Sequence, residues 1–175
     1  MFLKRKLEKI KAFVFDVDGV LSKDISPINE NGNPVRTANV KDGFAVKRAI
    51  NAGYPVAVIT GGYSERVRKR NEKIGVEYYY ENVSDKLHCL GDFLNKTGIK
   101  AENVLFMGDD LVDYHAMLKV GFPVCPKDAV YEIKAISAYV SDKNGGEGCV
   151  RDVIEKTLRT QKKWFSADNL YNKAF

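Results

Sequence analysis

The sequence has few of the residues that build disulfide frameworks or zinc sites. Its three cysteines, at positions 89, 125 and 149, are odd in number and widely spaced, with no CxxC pair. Its two histidines, His88 and His115, do not form a metal-spaced pair either. This distribution argues against a disulfide-stabilised fold and against a zinc site, and it predicts buried free thiols.

Long hydrophobic runs are also missing. No apolar stretch approaches the roughly 20 residues that a membrane-spanning helix needs. The first ten residues, MFLKRKLEKI, alternate basic and apolar side chains, and no small-residue cleavage site follows them. We therefore expect no signal peptide, a cytoplasmic location and no membrane partner.

Neither sign of charge dominates the chain. Lysine and arginine number 28 against 23 acidic residues, which gives a formal net charge of +5. Much of the excess lies in short runs such as RVRKR at 66–70. Such runs are typical of solvated helix faces, or they attract an anion that need not be nucleic acid.

The pattern of apolar segments predicts an α/β fold with a doubly wound, mainly parallel sheet in one domain, residues 1–175. Apolar strand-like runs alternate with amphipathic helical stretches throughout the chain. The predicted strands are 12–17, 54–60, 76–81, 103–108 and 122–126, with a short edge strand at 138–141. The predicted helices are 43–52, 64–74, 85–97, 111–120, 128–136 and 148–163, with Ser64 capping the second.

One segment interrupts this alternation. Residues 21–41 have no helical pattern, and NENGN within them is a dense turn signal between two extended halves. The segment predicts a projecting β-hairpin that overhangs the carboxyl edge of the sheet, where ligands bind in open α/β folds. Residues from about 164 to 175 are assigned to a C-terminal tail.

The first chemical signal is FVFDVDGV at 13–20, which places Asp16 and Asp18 at the end of a buried strand. Two carboxylates beside an apolar strand end are costly without a cation or a chemical task. A turn with two solvated acids is the alternative interpretation.

The second signal is GDDLVD at 108–113, which brings Asp109, Asp110 and Asp113 to the end of another apolar strand. If the two strands are neighbours, the acids converge on a pocket of hard oxygen ligands that suits Mg²⁺. Asp110 is equally suited to capping a helix, and whether Asp110 or Asp113 supports the metal stays open at this point.

Two smaller motifs lie between these signals. In VITGG at 58–62, the Thr60 hydroxyl and the flexible backbone of Gly61 are suited to holding phosphate oxygens. In VSDKL at 83–87, Lys86 lies at a helix start and is able to neutralise phosphate charge, although an isolated lysine is more often a surface residue.

Taken in order, DVDGV, TG, Lys and GDDxxD resemble the four motifs of the haloacid-dehalogenase superfamily, over residues 12–113. Three further stretches resemble the small cap-less 3-deoxy-D-manno-octulosonate 8-phosphate phosphatases. They are DVDGVLS at 16–22, NVKDGFAVK at 39–47 and KNGGEGCVRDV at 143–153.

The resemblance implies a Mg²⁺-dependent phosphomonoester hydrolase in which Asp16 forms an aspartyl-phosphate. It implies that Asp16, the backbone carbonyl of Asp18 and Asp109 hold the metal. Asp18 exchanges protons with the leaving group and water, while Thr60 and Lys86 contact the phosphate. It also implies a homotetramer in which the hairpin and chain end of one subunit close the neighbour's site.

By the same resemblance, the substrate is a phosphorylated sugar acid, 3-deoxy-D-manno-octulosonate 8-phosphate of lipopolysaccharide precursor synthesis. Two departures from the family pattern keep a nine-carbon acid, 2-keto-3-deoxynononate 9-phosphate, as an alternative: Gly62 stands where relatives often carry Arg, and Glu147 makes GGRG into GGEG. The positions that match the family's substrate pocket are Asn39, Lys41, Asp42, Gly43, Lys47, Gly61 and Arg70.

Three rival interpretations explain less. A receiver domain places its Thr and Lys after its last acidic site, whereas Thr60 and Lys86 precede GDDLVD here. A nucleic-acid-binding module gives no reason for acids to cluster at strand ends, where they repel phosphate. A catalytically silent homologue is disfavoured because all four motifs are intact.

Overall fold

A parallel six-stranded sheet lies at the centre of the computed structural model, which describes residues 2–166. The strands are β1 (Ala12–Phe15), β2 (Val56–Ile59), β3 (Tyr78–Tyr80), β4 (Val104–Met107), β5 (Phe122–Cys125) and β6 (Tyr139–Val140). The helices of the described residues are α1 (Phe2–Lys9), α2 (Val40–Asn51), α3 (Glu65–Ile74), α4 (Lys86–Thr97), α5 (Tyr114–Met117), α6 (Tyr131–Ile136) and α7 (Cys149–Thr160). Short 3₁₀ turns precede β4 and α5, at Ala101–Asn103 and Leu111–Asp113.

The strand order is β3-β2-β1-β4-β5-β6, and every pair of neighbours is parallel. The chain winds outward from β1 to β3 and then returns to start the other half at β4. The winding direction therefore reverses between β1 and β4, where the register pairs Phe15 with Met107. Open α/β sheets bind ligands at such a reversal, beyond the carboxyl ends of the strands. The predicted doubly wound parallel sheet is confirmed.

The strands are apolar because helices cover both faces of the sheet. All four residues of β1, of β2 and of β4 are buried. Phe13 and Phe15 face the layer of α1, α2 and α7, while Ala12 and Val14 face the layer of α4, α5 and α6. This alternation follows from the two-residue repeat of a strand, and it fixes the sheet between two helical layers.

The amino-terminal helix α1 was not among the helices predicted. Leu7 is 4% exposed and Ile10, just after the helix, is 2% exposed, and both belong to the core on the α2 and α7 side. Leu3, Leu7 and Ile10 recur at helical spacing, so the signal was present among the basic residues. The predicted helix at 111–120 was too long, because the chain forms a 3₁₀ turn followed by the four-residue α5.

Residues 21–39 form a hairpin-like loop without regular strands. Ile28 and Pro34 make one isolated antiparallel bridge, and the Val35 N–H donates to the Pro27 carbonyl at 2.7 Å. The side chain of Asn29 accepts from two backbone N–H groups and closes the tip. The segment is therefore hairpin-like as predicted, but it lacks two regular strands: the Asn29 N–H donates to the Asn33 carbonyl at 2.9 Å near the tip, and side chains make the contacts at the base. The segment was predicted to end at residue 41, but it ends at Asn39, which caps α2, and the helix begins at Val40.

The carboxyl-terminal segment returns to the core after α7. Trp164 is 7% exposed and meets the ring of Phe44 edge-on, with ring centroids 6.2 Å apart. Arg48 donates to the Trp164 carbonyl at 2.8 Å. The start of the predicted tail is thus packed against α2, and residues 167–175 of that tail lie outside the described residues.

The three cysteines are free, as predicted; Cys125 and Cys149 are buried as expected, whereas Cys89 is only half-buried. Among residues 2–166, no helix combines the length and the apolar character that crossing a lipid bilayer requires.

Candidate active site

Asp16 and Asp109 meet at the reversal point of the sheet because each follows a central strand. Asp16 comes directly after β1 and is 4% exposed; Asp109 comes two residues after β4 and is 8% exposed. Together with the fully buried Asp113, each offers a carboxylate oxygen, and these three oxygens lie within 4.8 Å of one another. The expectation that the two acidic motifs converge is met by the geometry.

Gly19 allows the loop after β1 to approach Asp109 this closely. Its φ of +75° lies in the left-handed region, and a Cβ on it would lie 1.9 Å from Asp109 Oδ2. A side chain at position 19 would therefore separate the two acidic loops. The glycine of DVDG is part of the geometry of the site.

Lys86 is the cation nearest to the acids. It is the first residue of α4, which Asp85 caps, and it is 5% exposed. Its Nζ lies 2.8 Å from Asp16 Oδ2 and 2.7 Å from Asp113 Oδ1. Although burial lowers the pKa of Lys86, the two carboxylates more than offset this and raise it above its ordinary value. The alternative of a surface lysine is wrong.

Asp113 organises the acidic loop. One of its oxygens accepts from Lys86, and the other accepts from the Asp109 N–H at 3.0 Å. Asp110 is exposed, and its side chain accepts from the Leu111 N–H at 2.7 Å at the start of the 3₁₀ turn. The capping interpretation of Asp110 is confirmed, and both oxygens of Asp113 are already engaged within the protein.

The acids carry more negative charge than Lys86 neutralises. Burial, followed by the nearby Asp113, raises the pKa of Asp16 to about 7 against the opposing effect of Lys86. Burial, followed by Asp16 and Asp113, raises the pKa of Asp109 to about 8. Asp109 Oδ1 is buried and has no hydrogen-bond partner among the described residues. A divalent cation would relieve both the repulsion and the unpartnered oxygen, so the donor set fits Mg²⁺.

Arg36 is a neighbour of the site that sequence reasoning missed. It lies in the 21–39 loop, and its guanidinium donates to both oxygens of Asp18, from Nε at 2.7 Å and from Nη2 at 2.8 Å. The side chain of Asp18 therefore lies apart from the three clustered carboxylates. No motif contains Arg36, and only its position beside the loop after β1 brings it to Asp18.

Thr60 and Gly61 lie at the end of β2, next to β1. Thr60 is 3% exposed, and its Oγ1 accepts from the Gly62 N–H at 3.1 Å. Its own N–H donates to the Tyr80 carbonyl of β3, which fixes the start of the loop. Gly61 is exposed. Both residues thus lie at the carboxyl edge of the strand that neighbours β1.

Two of the predicted substrate-pocket residues tie α2 to the start of α7. Asn39 caps α2 by accepting from the Lys41 N–H at 2.9 Å, and its amide donates to the Gly146 carbonyl at 3.2 Å. Asp42 is 1% exposed and accepts from the Arg151 N–H at 2.8 Å. These contacts give Asp42 a structural role, while its contact with a substrate stays a prediction.

Arg70 lies across Gly43. Its Nη2 is 3.5 Å from the Asn39 carbonyl, and a Cβ at position 43 would lie 2.6 Å from the same nitrogen. Gly43 therefore makes room for the guanidinium. Lys41 is exposed and Lys47 is half-buried.

Comparison with known proteins agrees with this geometry. Residues 79–154 match the family model described as haloacid dehalogenase-like hydrolase. The 3-deoxy-D-manno-octulosonate 8-phosphate phosphatase KdsC of Salmonella typhi is 37% identical over 158 residues, covering 90% of this chain and 84% of that protein. The chain belongs to the 3-deoxy-D-manno-octulosonate 8-phosphate phosphatase family.

Solved structures of this phosphatase family have the same fold. The enzyme of Moraxella catarrhalis, in complex with a magnesium ion, a phosphate ion and a KDO molecule, has a TM-score of 0.88 and 32% identity, covering 93% of this chain and 94% of that chain. The cobalt-bound phosphatase of Haemophilus influenzae has a TM-score of 0.86 and 29% identity, covering 96% of each chain. The predicted family and the predicted cap-less haloacid-dehalogenase fold are confirmed.

Proposed function

We propose that this protein is a Mg²⁺-dependent phosphatase that hydrolyses the phosphomonoester of a keto-sugar acid, 3-deoxy-D-manno-octulosonate 8-phosphate. One observation carries the proposal: carboxylate oxygens of Asp16, Asp109 and Asp113 lie within 4.8 Å of one another at the reversal point of the sheet, and Lys86 pairs with both Asp16 and Asp113. Family membership and the ligands of the Moraxella catarrhalis enzyme support the same activity.

The metal site of this proposal consists of Asp16, Asp109 and the backbone carbonyl of Asp18. Bound Mg²⁺ supplies Lewis-acid polarisation of the phosphoryl oxygens and lowers the repulsion between phosphate and carboxylate. Asp113 is not included, because one of its oxygens accepts from Lys86 and the other accepts from the Asp109 N–H.

Asp16 is the proposed nucleophile. A carboxylate oxygen of Asp16 bonds to phosphorus, the bond from phosphorus to the sugar oxygen breaks, and an aspartyl-phosphate results. Lys86 Nζ lies 2.8 Å from Asp16 Oδ2, and its positive charge stabilises the negative charge on the phosphoryl group during transfer. The Thr60 hydroxyl and the Gly61 backbone at the end of β2 bind phosphate oxygens from the other side.

Asp18 is the proposed proton donor and acceptor. It lies two residues beyond the nucleophile, so its side chain can face the leaving oxygen instead of the metal. It gives a proton to the sugar oxygen as the bond to phosphorus breaks, and it then takes one from the water that hydrolyses the aspartyl-phosphate. The site returns to its starting state with inorganic phosphate and the free sugar acid as products.

Recognition of the sugar acid is proposed for the edge beside α2 and α3. Arg70 is suited to pairing with the carboxylate of the substrate. Asn39 and Gly43 lie next to its guanidinium, and Lys41 and Lys47 lie on α2. A nine-carbon acid, 2-keto-3-deoxynononate 9-phosphate, is the second candidate. The observation that favours it is Glu147, an acid in this chain's GGEG segment, which pairs with Lys23 at 2.8 Å.

The assembly and the location are proposed from the family resemblance. We expect a cytoplasmic homotetramer in which the 21–39 loop and the chain end of one subunit approach the site of a neighbour. The loop carries Ile25 and Ile28, which are 90% and 72% exposed and need a partner surface.

The first test is the Asp16→Asn variant, assayed for phosphate release with Mg²⁺ and a panel of phosphorylated sugar acids. An amide cannot form the acyl-phosphate, so activity should fall on the order of a thousandfold or more. Asp142→Asn, which alters an exposed acid outside the site, is the matched control. Wild-type activity should disappear with EDTA and return with Mg²⁺. Full activity after exhaustive chelation, or an Asp16→Asn variant within about tenfold of wild type, would disprove the assignment.

A further inference from the structure

The contact between Arg36 and Asp18 joins the 21–39 loop to the proposed proton donor. Two nitrogens of one guanidinium donate to the two oxygens of one carboxylate, at 2.7 and 2.8 Å. Such a bidentate pair fixes the plane of the carboxylate as well as its position. The side chain of Arg36 is only 9% exposed, whereas that of Asp18 is 46% exposed. The guanidinium is therefore enclosed by the protein, while nearly half of the Asp18 side chain stays accessible to solvent.

The loop holds Arg36 at a defined place. Next to it, the Thr37 N–H donates to Ser22 Oγ at 2.9 Å, and Thr37 Oγ1 accepts from the Lys23 N–H at 3.0 Å. Ser22 is itself 1% exposed and lies just beyond the DVDG turn. The base of the loop is thus closed directly beside Arg36, and the guanidinium does not depend on the exposed tip for its position.

Gly62 provides the space that the guanidinium occupies. Arg36 Nη1 donates to the Tyr63 carbonyl at 3.1 Å, and a Cβ at position 62 would lie 2.2 Å from Arg36 Nη2. The glycine after the TG motif therefore admits an arginine that comes from a different part of the chain. This gives a structural reason for one of the departures from the family pattern.

We propose that Arg36 is a positioning residue that holds the carboxyl group of Asp18 in place for proton transfer to the leaving oxygen of the substrate. When Asp18 carries its proton on one oxygen, the other oxygen still accepts from the guanidinium. The inference rests on the proposed function only in taking Asp18 as the proton donor, and it does not depend on which sugar acid is the substrate. Arg36 acts through Asp18 and contacts no reacting atom.

The role of Arg36 can be tested with two substrates, one whose leaving group needs a proton and one whose leaving group does not. A p-nitrophenolate leaves as a stable anion without a proton, whereas a sugar alkoxide needs one before the bond to phosphorus breaks. The measurement is kcat/KM, which reports the steps up to departure of the leaving group, for p-nitrophenyl phosphate and for a sugar phosphate without a carboxylate. For Arg36→Gln we expect a loss of about thirtyfold or more with the sugar phosphate and of less than about threefold with p-nitrophenyl phosphate.

Two further variants separate positioning from folding. Arg36→Lys keeps the positive charge but cannot donate to both oxygens of Asp18 as the guanidinium does, so we expect an intermediate loss of kcat/KM with the sugar phosphate. Gly62→Ala retains Arg36 but takes the space of its guanidinium, so we expect the same dependence on the leaving group. Arg68→Gln is the matched control, because Arg68 is a nearby arginine that pairs with Glu81 at 2.7 Å rather than with Asp18. It should change both kcat/KM values by the same factor.

Equal losses of Arg36→Gln on both substrates would overturn the proposal, since they would mean that Arg36 serves the fold or the phosphate. An unchanged kcat/KM for the sugar phosphate would overturn it as well. If wild type hydrolysed p-nitrophenyl phosphate and simple sugar phosphates but no keto-sugar acid phosphate, the substrate of the proposed function would be wrong. The comparison of leaving groups would still decide the role of Arg36.

Discussion

At the scale of single residues, the groups around a buried acid, rather than its burial, distinguish the acids proposed for chemistry from the acid that holds the fold. Asp16 and Asp109 are buried against each other with one lysine for compensation, and one oxygen of Asp109 has no partner among the described residues. Asp42 is as deeply buried and also has one oxygen without a partner among the described residues, but its other oxygen accepts from the backbone N–H of Arg151 at the start of α7. All three looked alike as acids within motifs, and only their partners distinguish them.

Arg70 provides a test of substrate recognition at this scale. We expect Arg70→Ala to lower kcat/KM for a keto-sugar acid phosphate by roughly a hundredfold, because a carboxylate in the pocket would lose its guanidinium partner. Hydrolysis of p-nitrophenyl phosphate should change by less than about threefold, since that substrate has no carboxylate. Arg66→Ala, on the exposed side of the same helix, is the control. Equal losses on both substrates would assign Arg70 to the phosphate or to the contact with Gly43.

Asp42 predicts a pH dependence of stability. Burial raises its pKa from an ordinary value of 3.8 to about 6, although backbone N–H groups of Arg151 and Gly148 donate to it. Because the pKa is raised on folding, the stabilising contribution of Asp42 is complete below about pH 4 and is lost as the pH rises through about 6. The free energy of unfolding of wild type, relative to Asp42→Asn, should therefore fall by roughly 2–3 kcal/mol between about pH 4 and pH 7.

Urea unfolding of wild type and of Asp42→Asn across this pH range measures the difference between their free energies of unfolding. Asp142→Asn is the matched control, because the side chain of Asp142 is 73% exposed and its removal should not alter the pH dependence. Parallel pH profiles of wild type and Asp42→Asn would contradict the prediction.

At the scale of elements, α1 shows that a short basic helix contributes to the core. Leu7 is 4% exposed among residues of α2, α7 and the sheet, and Lys6 donates to the Gly121 carbonyl at 3.1 Å. Gln161, just after α7, donates to the carbonyls of Leu7 and Ile10 and joins both ends of the described chain.

We therefore expect Leu7→Ala to lower the free energy of unfolding by about 2–4 kcal/mol, because it leaves a cavity in a closed layer. Leu118→Ala removes the same atoms from a side chain that is 53% exposed, and it should cost less than about 0.5 kcal/mol. Chemical denaturation at one pH compares the two variants directly. Similar losses in both would mean that α1 is not part of the cooperative core.

At the scale of the whole molecule, the projecting loop links the fold to assembly. The two-stranded tip has one bridge and exposed isoleucines, so it gains little from its own chain. A neighbouring subunit would cover these side chains.

We expect light scattering at micromolar concentration to give a mass of about four times the 19.7 kDa chain, as the family resemblance implies. The double variant Ile25→Ser with Ile28→Ser should shift the protein toward smaller species, because it removes apolar surface from the contact. The matched control is Leu118→Ser, an equally polar change at an exposed site outside the loop. A fully active wild-type monomer would refute the proposed assembly.

The sequence by itself determined the architecture and the centre of the site. Strands that are apolar on both faces, separated by helices, permit little except a parallel sheet covered on two sides. Acids that follow two neighbouring central strands lie close together at the carboxyl edge, so the meeting of Asp16 and Asp109 was predictable once their strands were taken as neighbours, and the order of the motifs added Lys86. These inferences rest on local patterns and on the geometry of regular elements, which a single sequence contains.

The tertiary structure alone decided the contacts between distant segments. Arg36 reaches Asp18 because the 21–39 loop folds back over the DVDG turn, and Gly62 leaves the space it fills. Asp42 accepts from the Arg151 N–H in the first turn of α7, 109 residues along the chain, which no motif spacing indicates. Such contacts depend on how the elements pack rather than on which elements form. They also explain why neighbouring residues of one motif can have different roles, one in the fold and another in the chemistry.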